Sequence, residues 1–246
     1  MNMNIDKYIK IFFIILIIYL ILKYNSINQS VYLEHFNTNW DSNIDGIIYI
    51  NLENRDDRKK LVIQELTKIN TNMTKVQKVS GIYIPKNGHK GCIQSHLLAL
   101  HIAKMNKLNN VLIFEDDFEL NVNPTDFNNK INYIFKYIKD NNTKWGVIMI
   151  ATSHANKKNI DNDNIIVKIN SSTTSSAYIV NNTYYDTLIN LFTNCNDKMS
   201  KDKWTNGNWE LYALDQQWLP LQMKDNWLGF NIDLSKQRNI SSSINN

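Results

Sequence analysis

Apolar and polar positions in this chain follow two periods, one helical and one extended. Between Cys92 and Met105, the residues Ile93, Leu97, Leu100 and Met105 recur near helical spacing, with Gly91 just before the expected start and Asn109-Asn110 after the end. Val111 to Phe114 is a short, partly β-branched apolar run that fits a buried strand. Upstream, Ile47 to Leu52 predicts the first core strand, and Asn54-Arg55-Asp56-Asp57 supplies helix-start chemistry for a helix carrying Leu61, Ile63, Leu66 and Ile69. Val76, Lys78 and Val79 suggest a second strand broken by Gly81. Downstream, Ile131, Ile134, Phe135 and Ile138 mark an amphipathic helix within Phe127 to Ile138. Trp145 to Ala151 and Ala177 to Val180 read as strands, Tyr184 to Phe192 as a helix, Asp161 to Asn164 as a turn, and Ser171 to Ser176 as a polar loop. Strands and helices alternate, so the expected class is α/β, one domain with a mainly parallel sheet.

The N-terminus departs from this pattern. Ile11 to Leu22 is uncharged and mostly aliphatic between Lys10 and Lys23. With snorkelling flanks, Tyr8 to Tyr24 forms roughly 25 Å of helix at about 1.5 Å per residue, close to a thin bilayer of about 27 Å. Basic residues precede this segment, and residues 25–54 contain no Lys or Arg. That asymmetry predicts a hydrophobic helix that anchors the chain, with a cytoplasmic N-terminus and a lumenal or external remainder. A cleaved signal, which would leave the protein secreted, and a buried helix are the competing readings. The expected organisation is an anchor over 1–24, a polar stem over 25–44 and a folded domain over 45–246.

Length and composition narrow the class without choosing the chemistry. The chain has 246 residues, 43% of them hydrophobic, enough for one sizeable core. Its net charge is +4, of which the first 24 residues supply +2. No basic stripe with interleaved aromatics appears, which argues against nucleic-acid binding.

Chemistry concentrates at Glu115, Asp116 and Asp117, where the Val111–Phe114 strand ends. Ligands bind outside the carboxyl ends of strands in an open α/β sheet, and clustered carboxylates there suit a hard cation; a solvated acidic turn is the bland alternative. Ser95 and His96 are expected in the first turn or so of the preceding helix, whose free N–H groups favour an anion. Arg55 and Arg58 follow the first strand, where guanidinium groups could meet a diphosphate or simply face solvent. His154, alone in a loop, reads as structural or solvated rather than as a ligand.

Gly91-Cys92-x-x-Ser95-His96, followed about twenty residues later by Leu112-Ile113-Phe114-Glu115-Asp116-Asp117, resembles glycosyltransferase family 25, which includes lipopolysaccharide galactosyl- and glucosyltransferases and collagen hydroxylysine galactosyltransferases. Further resembling blocks are Ile48-Tyr49-Ile50-Asn51-Leu52-x-x-Arg55-x-x-Arg58, Ser176-Ala177-Tyr178-Ile179-Val180, Leu214-Asp215-x-x-x-Leu219-Pro220, and Gln237 with Ser242-Ser243-Ile244. The resemblance implies a GT-A-like fold and a metal-dependent enzyme using Mn²⁺ or Mg²⁺. Its donor would be a UDP-hexose, galactose or glucose, and its acceptor a hydroxyl of a glycan or protein, with inversion. It implies nucleotide-sugar contacts from Asn51, Leu52, Arg55, Arg58, Ser95, His96 and Glu115, a metal site at Glu115, Asp116 and Asp117, and Asp215 as base or acceptor ligand. In the collagen-modifying relatives the stretch at Asp215 carries an acidic pair, whereas here Gln216 replaces the second acid, which leaves the acceptor open.

Between Asp197 and Trp227 the chain is rich in aromatics, including Trp204, Trp209, Tyr212, Trp218 and Trp227, which suit sugar faces or a closed core. Cys92 and Cys195 could pair in an oxidising lumen or stay free, and they lack metal-site spacing. Two other function classes remain: a metal-dependent phosphohydrolase, and an inactive membrane-tethered glycan-binding module.

Overall fold

The structure, a computed structural model, describes residues 15–23, 39–201 and 211–240. The chain divides into two units, Met1–Asn39 and Trp40–Asn246. In the first, residues 15–23 are helical and exposed. No helix among the described residues is long and apolar enough to cross a membrane; the rest of the expected anchor and most of the stem lie outside them.

The second unit begins ahead of the expected boundary at 45. Trp40 and Ile44 are almost wholly buried, and the Trp40 ring packs edge-on against Phe127 at 5.3 Å. Burying an indole removes a large apolar surface from water, so the core recruits the end of the expected stem.

From Trp40 onward the elements alternate: β1 (Gly46–Asn51), α1 (Asp56–Lys68), β2 (Val76–Ser80), α2 (Gly88–Met105), β3 (Asn110–Glu115), β4 (Phe118–Leu120), α3 (Pro124–Asp140) and β5 (Val147–Met149). A β-rich stretch follows, with β6 (Ser153–Asn159), β7 (Ile166–Thr173) and β8 (Ala177–Asn181). The chain closes with α4 (Tyr185–Lys201), α5 (Leu214–Gln217), α6 (Leu219–Lys224), β9 (Trp227–Phe230) and β10 (Ser235–Gln237).

Eight strands form one mixed sheet in the order β2-β1-β3-β8-β5-β9-β7-β6, while β4 and β10 make a small antiparallel pair. Strands β1, β2, β3, β5 and β9 share a direction; β8 and β7 run against them, and β6 is the hairpin partner of β7. The expected α/β class holds, with those reversals inside the sheet. The Ser171–Ser176 loop is shorter than expected, since β7 extends to Thr173.

Alternation along the strands gives the sheet two apolar faces. Ile48, Val111, Ile113 and Val180 pack with residues of α2 and α4 on one face, and Ile47, Leu112, Phe114 and Ile179 with residues of α1 and α3 on the other. This three-layer sandwich buries nearly all of β1, β3 and β8, leaving their ends as the place for chemistry. Trp218 and Trp227 close the first face, packed edge to face at 5.1 Å. Trp204 and Trp209 lie outside the described residues.

Candidate active site

Strands β1 and β3 are parallel neighbours with Ile50 opposite Glu115, so their carboxyl ends emerge together. Asn51 and the 115–117 acids therefore meet at one end of the sheet. Asp116 is 6% exposed, and both its oxygens are taken: Oδ1 accepts from Arg58 Nη1 at 2.7 Å and Oδ2 from Asn51 Nδ2 at 2.8 Å. This acid ties β1, α1 and β3 together.

Asp117 is placed differently. Its Oδ2 accepts from Gln237 Nε2 at 3.0 Å and lies 3.5 Å from Arg58, while its buried Oδ1 has no hydrogen-bond partner. Burial, and then the charge of Glu115, push Asp117 up to about 7 against the opposing pull of Gln237 and Arg58. For Glu115, burial acts upward, but hydrogen bonds with His96 and Ser175 outweigh it and hold the group below its ordinary range. Glu115 Oε1 accepts from Ser175 Oγ and faces His96 Nε2 at 3.3 Å. The other His96 nitrogen lies 2.8 Å from the Tyr178 hydroxyl.

Two cavities meet at this point. A narrow cleft of about 90 Å³ is bordered by Asn51, Leu52, Arg58, His96 and the 115–117 acids. A few water molecules or a hydrated ion would fill such a space. Across Glu115 lies a cavity of about 680 Å³ bordered by His154, Thr173, Thr174, Ser175 and Asp215, a volume ordinary for small-molecule sites. Cys92, Glu115 and Gln237 line both.

Asp215 stands in the first turn of α5, where its Oδ2 accepts the Thr174 backbone N–H at 3.0 Å. Burial, and to a lesser degree the Glu115 charge, raise its carboxyl above the usual range, with the Thr174 bond opposing. Thr174 adopts φ 71°, a left-handed conformation strained for a β-branched residue. His154, at φ 48°, borders the same cavity. It is exposed, in keeping with the solvated reading.

The sequence-predicted residues Asn51, Leu52, Arg58, Ser95, His96 and Glu115–Asp117 all border the cleft, and Asp215 joins Glu115 across the larger cavity. Arg55 borders neither; its guanidinium makes a double contact with Asp57 at 2.9 and 2.8 Å. Helix α2 also starts earlier than expected, because the Asn87 side chain accepts from Lys90 N–H and caps it at Gly88. Ser95 and His96 thus sit about two turns inside the helix, and no helix-start N–H groups are theirs to offer. Ser95 Oγ instead donates to Gly91 O at 2.7 Å and accepts from Ile82 N–H at 2.8 Å. Gly91 permits that approach, since a Cβ there would lie 2.2 Å from the Ile82 carbonyl oxygen.

For a hard divalent cation, the fit rests on Glu115 and Asp117: neighbouring like charges, one half-buried and the other buried with an unpartnered oxygen, are what such an ion would relieve. Asp116, with both oxygens engaged, is less suited than its neighbours. The described residues also hold a group with the ligand atoms of Cys92, His96 and Glu115 within 4.8 Å of one another. Sequence reasoning missed Cys92 as a site residue, although its i,i+4 spacing to His96 on one helix face was the available signal. Both cysteines are free.

The sequence profile described as "Glycosyltransferase family 25 (LPS biosynthesis protein)" matches residues 77–205. No curated protein matches the chain. Among solved structures, A197 from STIV is similar at 9% identity and a TM-score of 0.42, over 80% of this chain and 86% of that one. Mannose-1-phosphate geranyltransferase from Thermus thermophilus gives 5% identity and 0.39, covering 75% and 72%. A glycosyltransferase involved in glycosylation of the major capsid of PBCV-1 gives 11% and 0.37, covering 75% and 92%.

Proposed function

The chain belongs to glycosyltransferase family 25, and from that premise we propose that it transfers a hexose, galactose or glucose, from a UDP-sugar to a hydroxyl of a glycan or protein acceptor. The observation that carries this reading is the pair of cavities sharing Glu115, one charged and narrow, the other wide and holding Asp215. The cation that meets the diphosphate suits the first, and the sugar with its acceptor suits the second. Mn²⁺ or Mg²⁺ held by Glu115 and Asp117 would supply neutralisation of the charge that develops on the departing diphosphate.

Asp215 then takes the acceptor proton while the acceptor oxygen forms its bond to the anomeric carbon. The bond from that carbon to the diphosphate oxygen breaks, UDP leaves with the electron pair, and the configuration inverts. A carboxyl raised by burial is better matched to removing a proton near neutral pH than a solvated one. Asp215→Asn keeps the shape and should lower turnover by about 10²- to 10⁴-fold, with calorimetric binding of UDP and Mn²⁺ intact. Unchanged turnover would remove Asp215 from the base role, and lost UDP binding would move it to the donor side. Metal-dependent UDP release that rises with added acceptor separates a transferase from a phosphohydrolase or a silent glycan-binding module.

The N-terminal segment is proposed as an anchor that leaves this domain lumenal or external, on the support of its flanking lysines. Protease added from the cytoplasmic side of sealed vesicles should spare residues 45–246. Complete digestion of that region with the membrane intact would overturn the topology.

A further inference from the structure

The narrow cleft and the wide cavity are separated by a cluster that the transfer reaction above uses only in part. Cys92 and His96 lie four residues apart on one face of α2, and Glu115 approaches them from the end of β3. Their ligand atoms, a thiol sulfur, an imidazole nitrogen and a carboxylate oxygen, all fall within 4.8 Å of one another. This donor set differs in kind from the paired carboxylates at Glu115 and Asp117. Thiolate and imidazole favour a borderline-soft ion, whereas Mg²⁺ and Mn²⁺ prefer oxygen.

The spacing agrees with that chemistry. Two nitrogen or oxygen ligands about 2.0–2.1 Å from a tetrahedral ion stand roughly 3.3–3.4 Å apart. His96 Nε2 and Glu115 Oε1 are 3.3 Å apart. The surrounding groups hold the ligands in the required state. If Nε2 binds an ion, the proton of His96 resides on Nδ1, where the Tyr178 oxygen at 2.8 Å can accept it. Ser175 donates to the same Oε1 of Glu115, fixing the orientation of the ligand oxygen, which keeps a second lone pair for an ion. Outer partners of this sort orient metal ligands in built sites. Three protein ligands beside open cavities leave a fourth position for water, as in zinc sites that remain accessible.

We propose that Cys92, His96 and Glu115 form a second cation site, selective for Zn²⁺ or a similarly borderline-soft divalent ion, at the junction of the two cavities. The site goes beyond the transfer reaction and needs neither donor nor acceptor to be occupied. On binding, the Cys92 thiol gives its proton to solvent and the sulfur becomes a thiolate ligand.

Co²⁺ added to the full-length protein is the direct probe, because sulfur ligation produces a thiolate-to-cobalt charge-transfer band in the near ultraviolet. The band should appear at one ion per chain and decline as Zn²⁺ is added. It should vanish in Cys92→Ser and persist in Cys195→Ser, whose thiol lies elsewhere, buried in α4. Tyr178→Phe should weaken Zn²⁺ binding by about 10- to 100-fold. A second measurement needs no variant: Zn²⁺ should protect the partly exposed Cys92 from alkylation of the wild-type protein, read by mass spectrometry. Absence of the band, or a band equal in wild type and Cys92→Ser, overturns the site, as does alkylation of Cys92 unaffected by Zn²⁺. The band reports sulfur alone, so its failure would leave the carboxylate reading of Glu115 and Asp117 standing.

Discussion

On the cleft side of Glu115, Asp116 is met on both oxygens by groups that the fold brings from 58 and 65 residues away, Arg58 and Asn51. On the cavity side, Asp215 faces the wide cavity, and among the described residues its carboxylate is met only by backbone N–H groups, that of a strained threonine and those of its own helix start. The first arrangement holds elements together, while the second keeps a carboxylate available. Asp117 lies on the cleft side but behaves as Asp215 does, buried and only half partnered. Position in the sequence therefore does not separate structural from chemical acids here; the count of partners does.

Three changes would break or sharpen that contrast. The largest effect is expected at Asp116→Ala, which leaves Arg58 buried without its nearest carboxylate. Breaking a buried ion pair from one side typically costs about 3–5 kcal/mol, readable by urea denaturation. A loss under about 1 kcal/mol would mean that Asp116 is not the tie between β1 and β3.

Next comes Asp117→Asn in metal-free protein. The folded carboxyl titrates near 7 against an ordinary value of 3.8, so its contribution is fully present below about pH 4 and is lost as pH rises toward 7. Removing the charge should therefore stabilise the metal-free protein at neutral pH, by on the order of a few kcal/mol, and flatten that part of its pH profile. Melting temperatures of both proteins from pH 4 to 8, taken in chelator, measure the difference. Parallel profiles would show that Asp117 carries no such strain.

The smallest effect is expected at Gln237→Ala, which deletes the hydrogen bond to Asp117 Oδ2 at a cost of about 0.5–1.5 kcal/mol. Because that bond favours the ionised form, its loss should push the Asp117 titration further upward, visible in the carboxyl ¹³C shift. A downward move would show that Gln237 stabilises the protonated acid instead.

Much of this molecule could be read from its residues, and the exceptions have physical causes. The cores of β1 and β3 announce themselves as continuous apolar runs because both faces of those strands are covered. Strand β6, Ser-His-Ala-Asn-Lys-Lys-Asn, leaves no signal in the sequence because it is a mostly exposed edge with no apolar alternation. The apolar run of β8 was legible, but its reversed direction was not, since hydrophobicity carries no arrow. Helix α2 starts one turn before its apolar rhythm does, because Gly-His-Lys-Gly carries none and Asn87 does the capping. At the site, the acids were visible as an acidic block; their unequal partners were not, because Arg58, Gln237 and Ser175 reach them only through the tertiary fold.

The reversal of β8 has a practical consequence for engineering. Because this strand runs against β3 and β5, the segment entering it, Thr174 to Ser176, meets the ends of its neighbours at the cavities, and its exit, Asn181, pairs with Asn110 at the other end of the sheet. The turn between α3 and β5, at Asn141-Asn142, opens at that second end and is exposed, with Asn142 already in a left-handed conformation. An affinity tag or fluorophore inserted there would project from the end opposite the chemistry, so the protein can be immobilised or labelled through that turn with both cavities left open to solution.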